Sequence, residues 1–247
     1  MARSPLLTLH FVRHGESSGN RDKIMQGQQN YRLSDRGVLQ AEATAIRLKT
    51  VKYWQAHTSD LARASSTADV ILAEHDGPVL VKSQLLREYA LGVLEDLPYG
   101  TSSSDARRIK AAKDGVALED YVEPRQETTL DVQKRAQQFL DALIADAAKD
   151  ACRAREAGAV AGGGSTDAGG SSEDGHDRIA LVVSHGGLLH VMMSAVMGFG
   201  HDIGIMSNCA VATVEVSEKE GGGVSFVPRE LNDYSHTDAG GVDKHVS

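Results

Sequence analysis

Arg13 and His14 stand side by side in "FVRHGESSGN", directly after the apolar run "LLTLHFV". Such a pair at the end of a buried strand has two readings. It is either a charged turn at a sheet edge, or a cationic fork beside a nucleophile, aimed at a phosphate. A neutral imidazole is a competent nucleophile near neutral pH. A guanidinium presents a planar fork that grips two phosphate oxygens at once. Other strand ends supply company for the second reading. "QAHTS" is followed by Asp60 and, one helical turn on, Arg63; "IALVVS" is followed by His185, Gly186 and Gly187; "VLVKS" leads into "LLREYALGVLED", with Arg87, Glu88 and Glu95. A second histidine can donate to the same phosphoryl oxygens, and a carboxylic acid can protonate a leaving alkoxide. Glu16, Glu88 and Glu95 compete for that last role. The scheme needs no metal, and there is no HExxH, no Cys/His cluster and no Asp-rich loop, so neither a metal nor a cofactor is expected.

These residues meet only if the strands before them lie together, because ligands of an open α/β sheet bind outside the carboxyl ends of its strands. Short apolar strands are expected over 6–12, 53–59, 79–83 and 179–184, and a late pair in "CAVATVEVS" and "GVSFVPR". A helix is expected over 33–51, capped by Ser34 or Asp35, with Val38, Ala41, Ala45 and Leu48 on its inner face. A second helix starts at Asp60, read as its N-cap. The clearest helix covers 129–150, with Val132, Ala136, Phe139, Leu140, Leu143 and Ala147 in one stripe. Residues 98–128 are polar and weakly periodic. After His185 comes a buried helix in which His190 reads as a satisfied core histidine and Met192, Met193 and Met197 as core. The alternation implies an α/β fold, three-layer α/β/α with a mostly parallel central sheet. It forms a single domain over 1–247. A Gly/Ser-rich, flexible insertion interrupts it at about 154–178, and a loose tail begins at about 235.

The chain has 247 residues and a net charge of -8, which speaks against nucleic acid or an acidic membrane as partner. A small phosphorylated substrate remains. Arg107, Arg108, Lys110 and Lys113 either hold a second substrate phosphate or form a solvated basic face. Cys152 and Cys209 form no CxxC motif, no apolar run approaches membrane-spanning length, and the opening carries no cleavable leader, so a cytoplasmic protein is expected. Oligomeric state is not written in these features.

The blocks "FVRHGES", "SDLARASSTA", "LREYALGVLE" and "VVSHGG", in this order, resemble those of the histidine phosphatase superfamily, which includes the cofactor-dependent phosphoglycerate mutases. The resemblance covers residues 6–96 and 179 to about 215, and it implies a phosphoglycerate mutase-like fold. It implies His14 as the phosphorylated nucleophile, Arg13, Arg63 and His185 as holders of the phosphoryl group, and Glu88 as proton donor. Asn20, Gln26, Gly27 and Gly186 would line the substrate pocket. The opening segment and the long insertion are similar to the fructose-2,6-bisphosphatase type, implying metal-independent hydrolysis of a sugar (bis)phosphate, fructose-2,6-bisphosphate foremost. Three departures touch the substrate side: Asp96 and Gln126 stand where relatives carry glycine, and Leu91 replaces an aromatic. Mutases carry an arginine pair followed by a proline-rich stretch; here Arg107-Arg108 precede "IKAAKDG", which speaks against a mutase. The intact set of five residues speaks against a non-catalytic phosphate-binding scaffold.

Overall fold

Ile179–Ser184, "IALVVS", has no polar residue before its last, so it must be covered on both faces. In a computed structural model, which describes residues 5–73, 75–161 and 178–238, it lies inside a six-stranded sheet. The strands in chain order are β1 (Leu7–Arg13), β2 (Ile24–Met25), β3 (Gln55–Ser59), β4 (Leu80–Ser83), β5 (Leu97–Pro98), β6 (Ile179–Ser184), β7 (Val211–Glu218) and β8 (Val224–Asp233). The helices are α1 (Ser18–Arg21), α2 (Asp35–Leu48), α3 (Ala62–Leu72), α4 (Ser103–Asp114), α5 (Thr129–Ala161), α6 (Gly186–Val191) and α7 (Ser235–Asp238). The sheet order is β4-β3-β6-β1-β7-β8, while β2 and β5 pair separately. β4, β3, β6 and β1 run parallel; β7 and β8 close the sheet as an antiparallel hairpin.

Side chains alternate along β6. Ala180 and Val182 join Leu7, Leu9 and Phe11 of β1 against the stripe Val132, Ala136, Phe139, Leu140, Leu143 and Ala147 of α5 and against α6. Leu181 and Val183 face the other way, against Leu48 of α2 and Ala64, Ala68 and Ile71 of α3. This is the expected α/β/α layering with a mostly parallel central sheet. Each fully buried leucine contributes about 1.5–3 kcal/mol. Met192, Met193 and Met197 lie in the first core, with Met192–Val196 forming a π-helical turn after α6. A third, smaller cluster joins Val93, Leu97, Ala106, Ala111 and Tyr121 beneath α4.

Several local expectations are corrected. Val38 is 37% exposed; the buried face of α2 is built instead from Gly37, Gln40, Ala41, Thr44, Ala45 and Leu48. Ser34 caps α2, accepting from the Gly37 N–H. Asp60 does not cap α3: its carboxylate is held by Arg87, and the Ala62 N–H donates to Asn30 Oδ1 at 2.6 Å. The weakly periodic stretch contains α4, which starts at a Ser102 cap and ends at Gly115 in the left-handed region (φ 69°). Of the basic residues there, Arg107 faces Glu123, Arg108 faces Asp105 and Lys110 approaches Asp96, so three of the four lie opposite carboxylates. His190 is half-buried rather than core, with Nδ1 2.9 Å from the Gly204 carbonyl. Helix α5 runs to Ala161, into the segment read as insertion; residues 162–177 lie outside the described residues. The tail begins with α7, in which Thr237 is fully buried; residues 239–247 lie outside the description. Among the described residues no helix is long and apolar enough to cross a membrane.

The start of α2 packs on the turn after β1 with no room for a side chain. A Cβ on Gly37 would sit 1.9 Å from the Glu16 carbonyl oxygen, and one on Gly15 would sit 2.4 Å from the Gly37 carbonyl oxygen. Both obstacles are backbone, so relief requires moving the turn that carries His14. We expect Gly37→Ala to cost about 2 kcal/mol and to lower the melting temperature by several degrees, measured by thermal denaturation. An unchanged melting point would show that the contact gives easily.

Candidate active site

Register brings the two histidines together. Arg13 of β1 lies opposite Ser184 of β6, and the His14 N–H donates to the Ser184 carbonyl at 2.9 Å, so His14 and His185 leave neighbouring parallel strands at the same level. Their rings stand edge to face, centroids 5.1 Å apart. Arg63 enters from the first turn of α3, just past the end of β3. Glu88 enters from the irregular segment that follows β4. The structure thus gathers Arg13, His14, Arg63, Glu88 and His185 at the carboxyl edge of the sheet.

His14 is 3% exposed. Its Nδ1 lies 2.7 Å from the Gly15 carbonyl oxygen. A carbonyl only accepts, so Nδ1 carries the proton and the lone pair sits on Nε2. The Arg63 Nε–H points at that lone pair from 3.3 Å. Burial first, then the nearby charges of Arg63 and Arg13, hold the imidazole well below its ordinary pKa, so it is neutral at pH 7. The main chain around it is secured on three sides. Asn208 Nδ2 donates to the His14 carbonyl at 2.8 Å, the Gly15 N–H donates to Thr67 Oγ1 at 3.0 Å, and the Cys209 N–H donates to the Arg13 carbonyl at 3.0 Å.

Arg63 is held by the loop after β2: one terminal nitrogen donates to the Gln29 carbonyl and the other to the Gly27 carbonyl, both at 2.8 Å. Each terminal nitrogen keeps a second N–H for an oxyanion. Gly27 has φ 51°, and a Cβ there would lie 2.1 Å from Glu95 Oε1, so the turn that aims this carbonyl admits only glycine. Arg13 donates to the Met206 carbonyl at 2.6 Å, while its buried Nε has no partner. Both ring nitrogens of fully buried His185 also lack partners. Burial first, then Arg63, His14, Arg13 and Arg135, hold this ring too well below its ordinary pKa. Buried polar groups are nearly always hydrogen-bonded. The unpartnered Arg13 Nε–H and the single N–H of the neutral His185 ring, beside the Arg63 guanidinium, describe a space for oxygen acceptors bearing negative charge.

The three candidate carboxylates separate cleanly. Glu16 accepts from Ser34 Oγ and faces Arg36, at the start of α2. Glu95 accepts from the Gln28 N–H, the Leu91 N–H and Gln29 Nε2, bracing the loop under Arg63. Glu88 alone stands with the histidines: Oε1 accepts from the Tyr89 and Leu188 N–H groups, and Oε2 from the Gly187 N–H at 3.0 Å. Of the expected pocket residues, Gly186 lies against Arg13, and its own Cβ would come 3.3 Å from Arg13 Nε. Gly27 supports Arg63. Asn20 caps α1 through Ser17, and buried Gln26 meets Ser17 Oγ at 2.7 Å, so both brace the substrate-side loop. The two departures Leu91 and Gln126 face each other in an isolated antiparallel bridge. Asn30, Thr67, Met206 and Asn208 escaped the sequence reading; apart from Thr67, which sits inside "SDLARASSTA", no local signal marks them. Among the described residues no group of three or more His, Cys, Asp or Glu side chains is placed to hold a metal ion.

Residues 9–160 match the model of the histidine phosphatase superfamily (branch 1). The probable fructose-2,6-bisphosphatase TIGAR A of Danio rerio is 32% identical over 195 residues, covering 75% of this chain and 74% of that protein. The probable phosphoglycerate mutase GpmB of Erwinia tasmaniensis is 26% identical, covering 97% of this chain and 99% of its own. The crystal structure of phosphoglycerate mutase from Bacillus anthracis superposes with a TM-score of 0.67 at 20% identity, over 95% of this chain and 96% of that one.

The neutral histidines have a consequence for pH. In the unfolded chain each takes a proton below about pH 6.5, whereas in the fold both resist it. Their contribution to stability is therefore fully present above pH ~6.5 and is lost as the pH falls toward their lowered folded values. His10, whose pKa burial and Arg47 push down to about 4, acts with the same sign. We expect the melting temperature to fall between pH 7 and pH 5, and the slope to be shallower in His185→Gln. A melting temperature that rises on acidification would mean these rings are protonated in the fold.

Proposed function

Because the chain belongs to the histidine phosphatase superfamily, whose members are phosphatases or mutases, we propose that it is a metal-independent phosphatase that hydrolyses a sugar (bis)phosphate through a phosphohistidine on His14. The observation that carries this reading is the pairing of a neutral His14, its lone pair on Nε2, with the orphaned nitrogens of His185 and Arg13. Arg13, Arg63 and His185 bind the phosphoryl oxygens. The Nε2–P bond forms as the P–O bond to the sugar breaks, and Glu88 gives its proton to the departing alkoxide. Of its two oxygens Oε2 takes the fewer N–H donors and is the natural proton site. The ring gains positive charge on phosphorylation, and Gly15 O, already bound to the Nδ1–H, accepts more strongly as it does so. Water then attacks phosphorus, returns a proton to Glu88, and releases inorganic phosphate as the P–N bond breaks. Asn20, Gln26, Gly27 and Gly186 shape the substrate side.

Fructose-2,6-bisphosphate is the proposed substrate, supported by the 32% identity to TIGAR A. A phosphoglycerate mutase is the second reading, favoured by the nearly full-length likeness to GpmB. Incubation with 3-phosphoglycerate and 2,3-bisphosphoglycerate separates them: phosphate release supports the phosphatase, isomerisation without release supports the mutase.

Two substitutions test the chemistry. His14→Ala should lose several orders of magnitude in turnover and the acid-labile, base-stable label that rapid quench traps on the wild-type protein. Near-normal turnover in that variant would end the phosphohistidine reading. Glu88→Gln should slow release from a sugar phosphate by about a hundredfold or more, and from p-nitrophenyl phosphate far less, because nitrophenolate leaves without a proton. Equal losses would assign Glu88 to positioning, and the leaving-group effect in Glu95→Gln instead would transfer the role.

A further inference from the structure

Glu88 lies just past a short 3-10 turn (Gln84–Leu86), in neither α-helix nor sheet, yet the carbonyls of this segment are not left to solvent. Those of Leu85, Arg87 and Glu88 all accept from one guanidinium, that of Arg135 on α5, at 3.0 Å for Leu85 and for Glu88. The Leu86 carbonyl between them accepts from Ser184 Oγ at 2.7 Å, on the residue preceding His185. Four consecutive carbonyls are thus held by two side chains. Arg135 also pairs with Glu127 in fork-on-fork geometry, Nε to Oε1 at 2.9 Å and a terminal nitrogen to Oε2 at 3.0 Å, both side chains largely buried. Glu127 closes the far side: its Oε2 accepts from the Ala90 N–H at 2.9 Å, and its own N–H donates to the Ala90 carbonyl at 2.9 Å. The hydrogen bonds of Arg135 and Glu127 bracket residues 85–90 with Glu88 between.

We infer that Arg135 and Glu127 are positioning residues for the proton-transfer step: their buried pair sets where the Glu88 carboxyl meets the leaving oxygen. The inference rests on the general-acid reading of Glu88. The arrangement suits that task and not phosphate binding. Arg135 has five N–H groups, and its hydrogen bonds already take Nε once and each terminal nitrogen twice, all within the protein. Nothing of that guanidinium is spare for substrate. Loosening the clamp would let Glu88 drift relative to His185 while leaving His14, Arg13 and Arg63 in place, since those are secured by β1, β6 and the loop after β2. A displacement of about 1 Å at a reacting group is enough to slow a reaction substantially.

The test compares wild type, Arg135→Gln, Arg135→Lys and Glu88→Gln on fructose-2,6-bisphosphate and on p-nitrophenyl phosphate. A displaced acid predicts that Arg135→Gln lowers kcat on the sugar phosphate by about tenfold or more, with KM little changed, and lowers aryl-phosphate turnover by less than about threefold. Arg135→Lys keeps the charge opposite Glu127 and so the fold, but a single nitrogen cannot serve three carbonyls and a carboxylate; it should show the same split, and it carries the test if the glutamine variant does not fold. Parallel losses on both substrates, or none on either, in a folded variant would overturn the inference while Glu88→Gln retains its split. If Glu88→Gln itself shows no split, the general-acid reading fails and this inference falls with it.

Discussion

Two guanidiniums share one site, Arg63 buried and Arg13 half-buried with its Nε shut off from solvent. Arg63 is only 1% exposed, and burial first pushes its pKa down to about 10. Arg13 is shifted in the same direction for the same leading reason. Burying a charge is costly unless polar partners compensate, and here the partners are backbone carbonyls of Gly27, Gln29 and Met206. The architecture around the site follows from that need. The left-handed turn at Gly27 exists to aim a carbonyl at Arg63, Glu95 exists to brace that turn, and the loop of Met206 to Ala210 wraps the end of β1. Burial first, and then the same two charges, keep His14 and His185 neutral, so electrostatics that would be a burden in an inert core leave a free lone pair on the proposed nucleophile.

Caps at the rim come from elsewhere in the chain. Helix α3 takes Asn30 at its first turn, and α6 takes the carboxylate of Glu88. Neither helix begins with a capping residue of its own that bonds its N–H groups. In each case a side chain from the substrate side stitches a helix start to the site, so the group proposed to handle the proton is also part of the frame around His185.

The strands and their ends were legible because their chemistry is local. "IALVVS" can only be a buried strand, and "VRHG" and "SHGG" at two strand ends point to one rim. Helix α5 announced itself through a stripe of six apolar residues. Helix α4 did not, because Ala106 and Ala111 are its only buried residues; its true signals were the Ser102 cap with Asp105 three residues on and Gly115 at its end. Val38 misled because period alone cannot tell a core position from its neighbour when Gly37 and Gln40 are the ones that pack. The resemblance singles out Glu88, but its surroundings alone do not separate it from Glu16 and Glu95, since all three follow strand ends; the geometry does. Arg135 was invisible for a different reason: apart from Glu127 its partners are carbonyls, and a carbonyl carries no sequence. The departures Leu91 and Gln126 were visible singly, but only the fold shows them to be one bridge.

Helix α5 returns its chain to the amino end of β6, whereas the chemistry sits at the carboxyl end, six strand residues or roughly 20 Å away. Arg178, where the described chain resumes, pairs with Asp150 of α5 at the pole of the sheet remote from His185. Loop closure grows only slowly more costly with length, and among the described residues none of Arg13, His14, Arg63, Glu88 and His185 lies at that pole. A reporter domain spliced in between Ala161 and Arg178 would have the whole length of β6 between itself and the rim that carries His14 and His185.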